Sequence, residues 1–330
     1  MFRSSFVYAL PTVALAMFGP SWGVYAQGYP SRPITMIVPF AAGGPADALG
    51  RTLADGMTRA LGQPVIIENA AGASGSIGVG KTARANPDGY TIGLGNWSTF
   101  VVNGGVMRLP YDLQTSFTPI SQVATETAII IARKDFPANN LEELIAWLRA
   151  NPDKATQGTG GPGTTAHVLG MFFQKRTGTT FQHIPYRGGV GPAMQDLVAN
   201  QIDLIFSVAG TAVPLVNAGT VKSFAVTANS RLKMAPQVPT VDEAGLPGFH
   251  FSSWYGIWAP KDTPSDIVTR LNAAIVATLA EPAVQQRLAN LGQDLPTRDQ
   301  QTPESLAALH KSDIEKWWPL LKEAGIKLDQ

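Results

Sequence analysis

Ile34-Thr35-Met36-Ile37-Val38-Pro39-Phe40-Ala41-Ala42-Gly43-Gly44-Pro45-Ala46-Asp47 reads as a strand, a glycine-rich loop and the opening of a helix. Ile34–Phe40 is an apolar run rich in β-branched residues. From Ala46 to Leu61 the residues Leu49, Leu53, Met57 and Leu61 recur on one helical face. The glycines between allow close backbone approach, and the helix dipole favours negative charge beyond its N-terminus. Asp47 is either a first-turn carboxylate that stabilises that N-terminus or a group that organises water or ligand in a pocket.

The same grammar repeats downstream. Val65–Glu68, Tyr90–Gly95 and Ala128–Ala132 read as strands, the last as a continuous apolar run of the kind covered on both faces. Ala155–Gly158, Phe181–Tyr186, Asp203–Ser207 and Phe224–Thr227 alternate with helical patterns over Leu141–Asn151, Thr164–Thr177, Gly191–Asn200 and Thr211–Ala218. Such alternation implies an α/β fold with largely parallel sheets, whose ligands sit beyond the carboxyl ends of the strands. An aromatic strand, Ser253–Ala259, is a candidate return crossing, and helices opened by Pro264, Pro282 and Pro303 complete the chain.

The chain has 330 residues, of which 45% are hydrophobic and 15% charged, with a formal charge of +1. At roughly 150 residues per domain this length suggests two domains. No basic cluster is present, which disfavours a nucleic-acid partner. Cysteine is absent, which removes disulfides, thiolate catalysis and cysteine-based zinc sites together.

Residues 1–26 read as an export signal: Arg3 is the positive start, Phe6–Phe18 the short apolar run, and Val24-Tyr25-Ala26 the small-x-small ending, with cleavage after Ala26. The run is interrupted by Pro11 and is shorter than the ~20 residues a membrane span needs. Without twin arginines, export proceeds unfolded, so no preloaded cofactor is expected, and the destination is the periplasm.

Two glycine motifs invite a nucleotide reading. Gly75-Ser76-Ile77-Gly78-Val79-Gly80-Lys81-Thr82 matches the phosphate-loop pattern, yet the turn Asn86-Pro87-Asp88-Gly89 follows so closely that no helix of several turns fits after Lys81. Gly158-Thr159-Gly160-Gly161-Pro162-Gly163 satisfies the dinucleotide pattern, but the next strand ends at Pro185-Tyr186-Arg187, with no acidic residue at its tip for a ribose. A glycine-rich loop entering a helix holds any anion through its N–H groups, and Thr164 and Thr165 add hydroxyls there. His167 lies in the same helix and serves either a structural hydrogen bond or a ligand. None of the four histidines has a zinc partner at ligand spacing. Trp97, Tyr186, Trp254, Tyr255 and Trp258 fall near strand ends, where they either pack the core or wall a cleft.

The chain resembles the solute-binding components of tripartite tricarboxylate transporters, the Bug (Bordetella uptake gene) family. The landmarks are Tyr29-Pro30-Ser31-Arg32-Pro33-Ile34 with Ile37–Phe40 and Gly43–Asp47; Glu68-Asn69 to Gly78 with Pro87-Asp88-Gly89-Tyr90; Gly158 to His167; Pro185-Tyr186-Arg187-Gly188; and Val238-Pro239-Thr240-Val241-Asp242-Glu243-Ala244-Gly245. Lys81-Thr82 departs from the family's usual wording. The resemblance implies a two-domain periplasmic-binding-protein fold of type II, a Venus flytrap with its ligand cleft between domains. It places domain 1 at 27–124, domain 2 at 125–251 and the return to domain 1 with the C-terminal helices at 252–330, with pivots near Gln122–Thr125 and Phe251–Tyr255.

The same resemblance implies binding rather than catalysis, without cofactor or metal. A ligand carboxylate would be held by Phe40, Ala42, Gly43, Gly44 and Asp47 on one side and by Thr159, Gly160, Gly161, Thr164, Thr165 and His167 on the other, with Ser98, Tyr186 and Asp203 as further candidates. The ligand is a small organic carboxylate: a dicarboxylate, tricarboxylate, acidic amino acid or aromatic acid. The implied partners are integral membrane transporter subunits, and the protein is expected to be a monomer. The rival readings are an exported enzyme that uses a glycine-rich loop for a phosphate-bearing cofactor, and a sensor that hands its ligand to a receptor.

Overall fold

A computed structural model describes residues 28–186 and 189–323, with Met1 and Gly325. The export signal and the Arg187-Gly188 landmark therefore lie outside the described residues. The quoted opening folds as read, into β1 (Ile34–Val38) and α1 (Pro45–Leu61). Gly44 occupies the N-cap, Pro45 the first turn, and Gly62 ends the helix in the left-handed region at φ 72°. Leu49, Leu53, Met57 and Leu61 are all buried.

The chain continues through β2 (Val65–Asn69), α2 (Ser76–Ala83), β3 (Thr91–Asn96), a π-helical turn at Ser98–Val102, α3 (Asn103–Val106) and β4 (Phe117–Arg133). Then follow α4 (Leu141–Ala150), β5 (Thr156–Thr159), α5 (Thr165–Thr177), β6 (Gln182–Pro185), α6 (Val190–Val198), β7 (Leu204–Val208), α7 (Ala209–Asn217) and β8 (Val221–Val226). β9 (Ser252–Pro260), α8 (Ser265–Leu279), α9 (Pro282–Asn290) and α10 (Pro303–Glu323) complete it.

The sheet is mixed, which corrects the expectation of largely parallel sheets. Its order is β2-β1-β3-β9-β4-β7-β5-β6, with β8 also on β4. The flanking pairs β1–β2, β1–β3, β5–β6 and β5–β7 are parallel, but every pair made by β9 or β4 is antiparallel. The cause is β4, which runs 17 residues through both arms of the sheet, pairing with β9 over Phe117–Thr127 and with β7 and β8 beyond. Sequence reading found only its apolar second half. The first half contains Pro119 and polar residues, and it stays in the ladder through irregularities at Pro119/Ser121 and Gln122/Ala124.

The phosphate-loop match is also resolved. The segment from Ser76 to Ala83 is itself helical, where the sequence suggested no helix, so Lys81 sits at the helix end and pairs with Glu68 on β2. Trp97, Trp254 and Trp258 are core residues, each no more than 2% exposed, and Trp258 stacks on Phe100 at 4.4 Å. Trp317 is buried against Trp97 at 5.0 Å, while the half-buried Trp318 donates its indole N–H to Val101 O.

Candidate functional site

The registers locate the place where the two arms meet. Asn96, the last residue of β3, pairs with Tyr255, which pairs in turn with Ala124 of β4; Val208, the last residue of β7, pairs with Ala128. The carboxyl ends of strands from both arms thus reach β4 within four residues, about 13 Å along the strand. The β1–α1 and β5–α5 loops open from those ends.

The first loop, Phe40–Gly44, is held from beneath by Asp47. One carboxylate oxygen, Oδ2, accepts the Gly43 N–H at 2.9 Å and the Arg51 Nε–H at 3.0 Å; the other accepts from Asn69 Nδ2 at 3.0 Å. Asn69 Nδ2 also donates to Phe40 O at 3.1 Å. The Arg51 hydrogen bond, aided by those from Gly43 and Asn69, outweighs burial and lowers the Asp47 pKa to about 2. Both oxygens are engaged by protein, so Asp47 acts as the brace of the loop. Ala42 and Gly43 stay exposed, and no side chain caps α1.

The second loop, Thr159–Thr164, is held by neutral groups. Thr159 Oγ1 accepts the Gly161 N–H at 3.2 Å, Thr164 Oγ1 donates to Gly161 O at 2.7 Å, and His167 Nδ1 accepts the Gly163 N–H at 3.3 Å. The Thr164 hydroxyl is thereby turned to the loop itself. The half-buried Thr165 keeps its hydroxyl free among the described residues. His167, accepting at Nδ1, carries its proton on Nε2, and burial lowers its pKa. No side chain caps α5 either.

Behind this loop runs a hydrogen-bonded string that sequence reading missed. Gln174 Nε2 donates to His183 Nε2 at 2.8 Å, His183 Nδ1 donates to Gln157 Oε1 at 2.7 Å, and Gln157 Nε2 donates to Ala166 O at 2.7 Å. Burial, with a further push from His167, depresses the His183 pKa to about 4 and keeps the ring neutral. Gln157 and His183 are register partners on β5 and β6. The available signal was a polar residue inside each of two short strands.

Ser98 joins the two sides: its hydroxyl donates to Gly163 O at 3.2 Å. Tyr186 reaches the second loop through its backbone, donating its N–H to Thr159 O at 2.9 Å, while its phenol turns to Asp196 at 2.6 Å. Burial and that carboxylate raise the phenol pKa to about 12. Asp203 does not join the set. It lies before β7 at the opposite end of the strands, where it receives Arg133 Nε at 2.8 Å and the Thr156 N–H at 2.9 Å. Thr156 and Thr159 are the two ends of β5, about 10 Å apart.

Among the described residues no group of acidic or histidine side chains could hold a metal. What the two loops offer is N–H groups at two helix N-termini and neutral hydroxyls, a set suited to an anion.

The profile of the "Tripartite tricarboxylate transporter family receptor" matches residues 49–326. The periplasmic binding protein BugD is 40% identical in sequence, with a TM-score of 0.82 over 91% of this chain and 99% of that one. MatC from Rhodopseudomonas palustris, solved with bound malate, is 34% identical, with a TM-score of 0.82 over 89% of this chain and 100% of that one. Rpa4515 of R. palustris, solved with adipate, is 31% identical, with a TM-score of 0.82 over 91% of this chain and 99% of that one. With a matching profile over most of its length and a shared fold, this chain belongs to the tripartite tricarboxylate transporter receptor family, the solute-binding proteins of the Bug type.

Proposed function

We propose that this protein is exported to the periplasm, captures a small organic carboxylate between two lobes, and delivers it to the membrane subunits of a tripartite tricarboxylate-type transporter. The observation that carries the reading is the pair of glycine-rich loops, each opening a helix without a side-chain cap and linked across the cleft by Ser98 and Gly163. An incoming carboxylate would take the loop N–H groups of Ala42 and Gly44 on one wall and of Gly160 on the other, while the Gly43 and Gly161 N–H groups hold the loops to Asp47 and Thr159. Thr165 would add its hydroxyl, and Phe40 would flank the ligand. The malate and adipate held by two relatives are carboxylates of this kind.

In this reading the lobes are 27–124 with 252–330, and 125–251. They turn about β4 near Gln122–Thr125 and about the start of β9, the antiparallel pair that joins them. Removal of residues 1–26 leaves basic and acidic residues equal in number, because Arg3 is the sole charge removed.

The test is a melting-temperature panel on residues 27–330 against citrate, malate, succinate, adipate, glutamate, benzoate, ATP and NAD. A carboxylate that binds only the folded state raises the melting point by mass action. Small-angle scattering with that carboxylate should show compaction. Stabilisation by a nucleotide alone would overturn the proposal.

A further inference from the structure

The last helix, α10, meets the two arms of the sheet by different means. To the arm of β1–β3 and β9 it is fastened by hydrogen bonds and close packing. His310 Nε2 donates to Phe100 O at 2.7 Å, Asp313 accepts the Trp254 indole N–H at 2.7 Å, and Trp318 donates to Val101 O at 2.9 Å. A Cβ built on Gly104 of α3 would lie 2.7 Å from Trp318, and one on Gly105 would lie 2.9 Å from Leu321. These contacts make α10 part of the first arm.

Against α5, which belongs to the arm of β5–β8, it only leans. Val168, Met171, Phe172 and Lys175 share one face of α5 at spacings of three and four residues, and with Trp317 and Leu320 they line an apolar crevice. The crevice leaves about 20 Å³ unfilled, room for one water. Phe172 meets Trp317 edge-on at 5.7 Å, and Lys175 Nζ pairs with Glu323 at 2.6 Å between side chains that are 44% and 65% exposed. Among the described residues no other hydrogen bond or ion pair joins the two helices. A seam of half-buried apolar side chains and one exposed ion pair costs little to part and gains little by itself. It is also tied to the cleft, because α5 opens from the second glycine-rich loop, where Ser98 of the first arm donates to Gly163 O. The cleft contact and the seam thus lie along one helix, so a movement that carries Gly163 away from Ser98 also carries Phe172 and Lys175 away from α10.

We propose that the seam between α5 and α10 is a latch of the closed form, which shuts as the lobes close on a ligand and parts as they open. Met171, Phe172, Lys175, Trp317 and Glu323 then set carboxylate affinity without touching the carboxylate. The proposal rests on the lobe-closure reading and names what sets its equilibrium. A contact made only in the closed form raises the fraction of molecules in the binding-competent state, and apparent affinity rises by the same factor.

The experiment places spin labels on Arg176→Cys of α5 and Lys322→Cys of α10, exposed positions beside the ion pair in a chain with no other cysteine. Double electron–electron resonance on residues 27–330, without ligand and with whichever of malate, adipate, aspartate or 2-aminoadipate raises the melting point, should show the labels draw together on saturation. Met171→Lys adds a charge that is solvated while the seam is open and buried when it shuts, so affinity in calorimetry should fall at least about tenfold while the ligand-free melting temperature changes little. Lys175→Glu sets like charges together and should weaken binding about two- to threefold, with recovery when Glu323→Lys restores the pair. An unchanged label distance while scattering shows compaction, or native affinity in Met171→Lys, would overturn the latch alone. Absence of compaction with ligand bound would overturn closure itself, and the latch with it.

Discussion

The two glycine-rich loops each lead into a helix N-terminus but are held in place by opposite means. The first hangs on an ionised carboxylate: Asp47 gathers Gly43, Arg51 and Asn69. The second rests on neutral hydroxyl, amide and imidazole groups, from Thr159 and Thr164 through His167 to the string of Gln174, His183 and Gln157. Each brace claims some of its loop's N–H groups, Gly43 in the first and Gly161 and Gly163 in the second, and thereby fixes the positions of the neighbours that remain free. The difference lies in what breaks each one.

The largest effect is expected from Asp47→Ala, which releases the Gly43 N–H, Asn69 and Arg51 together. Arg51 is 56% exposed, so solvent screens its share, and most of the loss comes from the two shorter-range hydrogen bonds. Unfolding in urea should show a loss of about 2 kcal/mol, with carboxylate affinity falling at least about tenfold in calorimetry. Gln157→Leu comes next. Gln157 is fully buried, and its loss strands the His183 Nδ1–H and removes the second donor to Ala166 O, so about 1–2 kcal/mol of stability should go, with a smaller fall in affinity. Equal losses of affinity in the two variants would erase the contrast between the braces.

Acid should separate the loops in the reverse order. The His183 pKa falls from an ordinary 6.5 to about 4 in the folded protein, so its neutral form stabilises fully above 6.5 and that contribution is lost as pH falls towards 4. The Asp47 pKa falls from 3.8 to about 2, so its contribution is present above 3.8 and is lost only as pH falls towards 2. Hydrogen exchange of the loop amides should therefore quicken in the second loop between pH 6.5 and 4, while the first stays protected. Simultaneous loosening would contradict this assignment. The smallest effect on binding belongs to Asp203→Asn. It should lower the melting temperature by weakening the Arg133 and Thr156 contacts, yet leave carboxylate affinity unchanged, since Asp203 stands at the far strand ends.

Sequence made the first loop legible because its strand, glycines, proline and helix are contiguous, and the helix face of Leu49, Leu53, Met57 and Leu61 is periodic. The same held for the second loop's Thr159 to His167. Asp203 misled because a lone acid before a strand looks the same at either end of a sheet. The first half of β4 escaped detection because Pro119 and its polar neighbours carry no strand pattern; long-range pairing with β9 makes them a strand. Glu126 was invisible for a related reason. Ala124-Thr125-Glu126-Thr127 reads as solvated until β9 and the segment after α9 bury it.

The central claim is that one ligand carboxylate engages both loops at once. Hydrogen-exchange mass spectrometry of residues 27–330, with and without whichever of malate, adipate, aspartate or 2-aminoadipate raises the melting point, tests it directly. The account predicts that saturation slows exchange together in residues 40–47 and 159–167. Protection of one loop alone, or of neither while ligand is demonstrably bound, would contradict it.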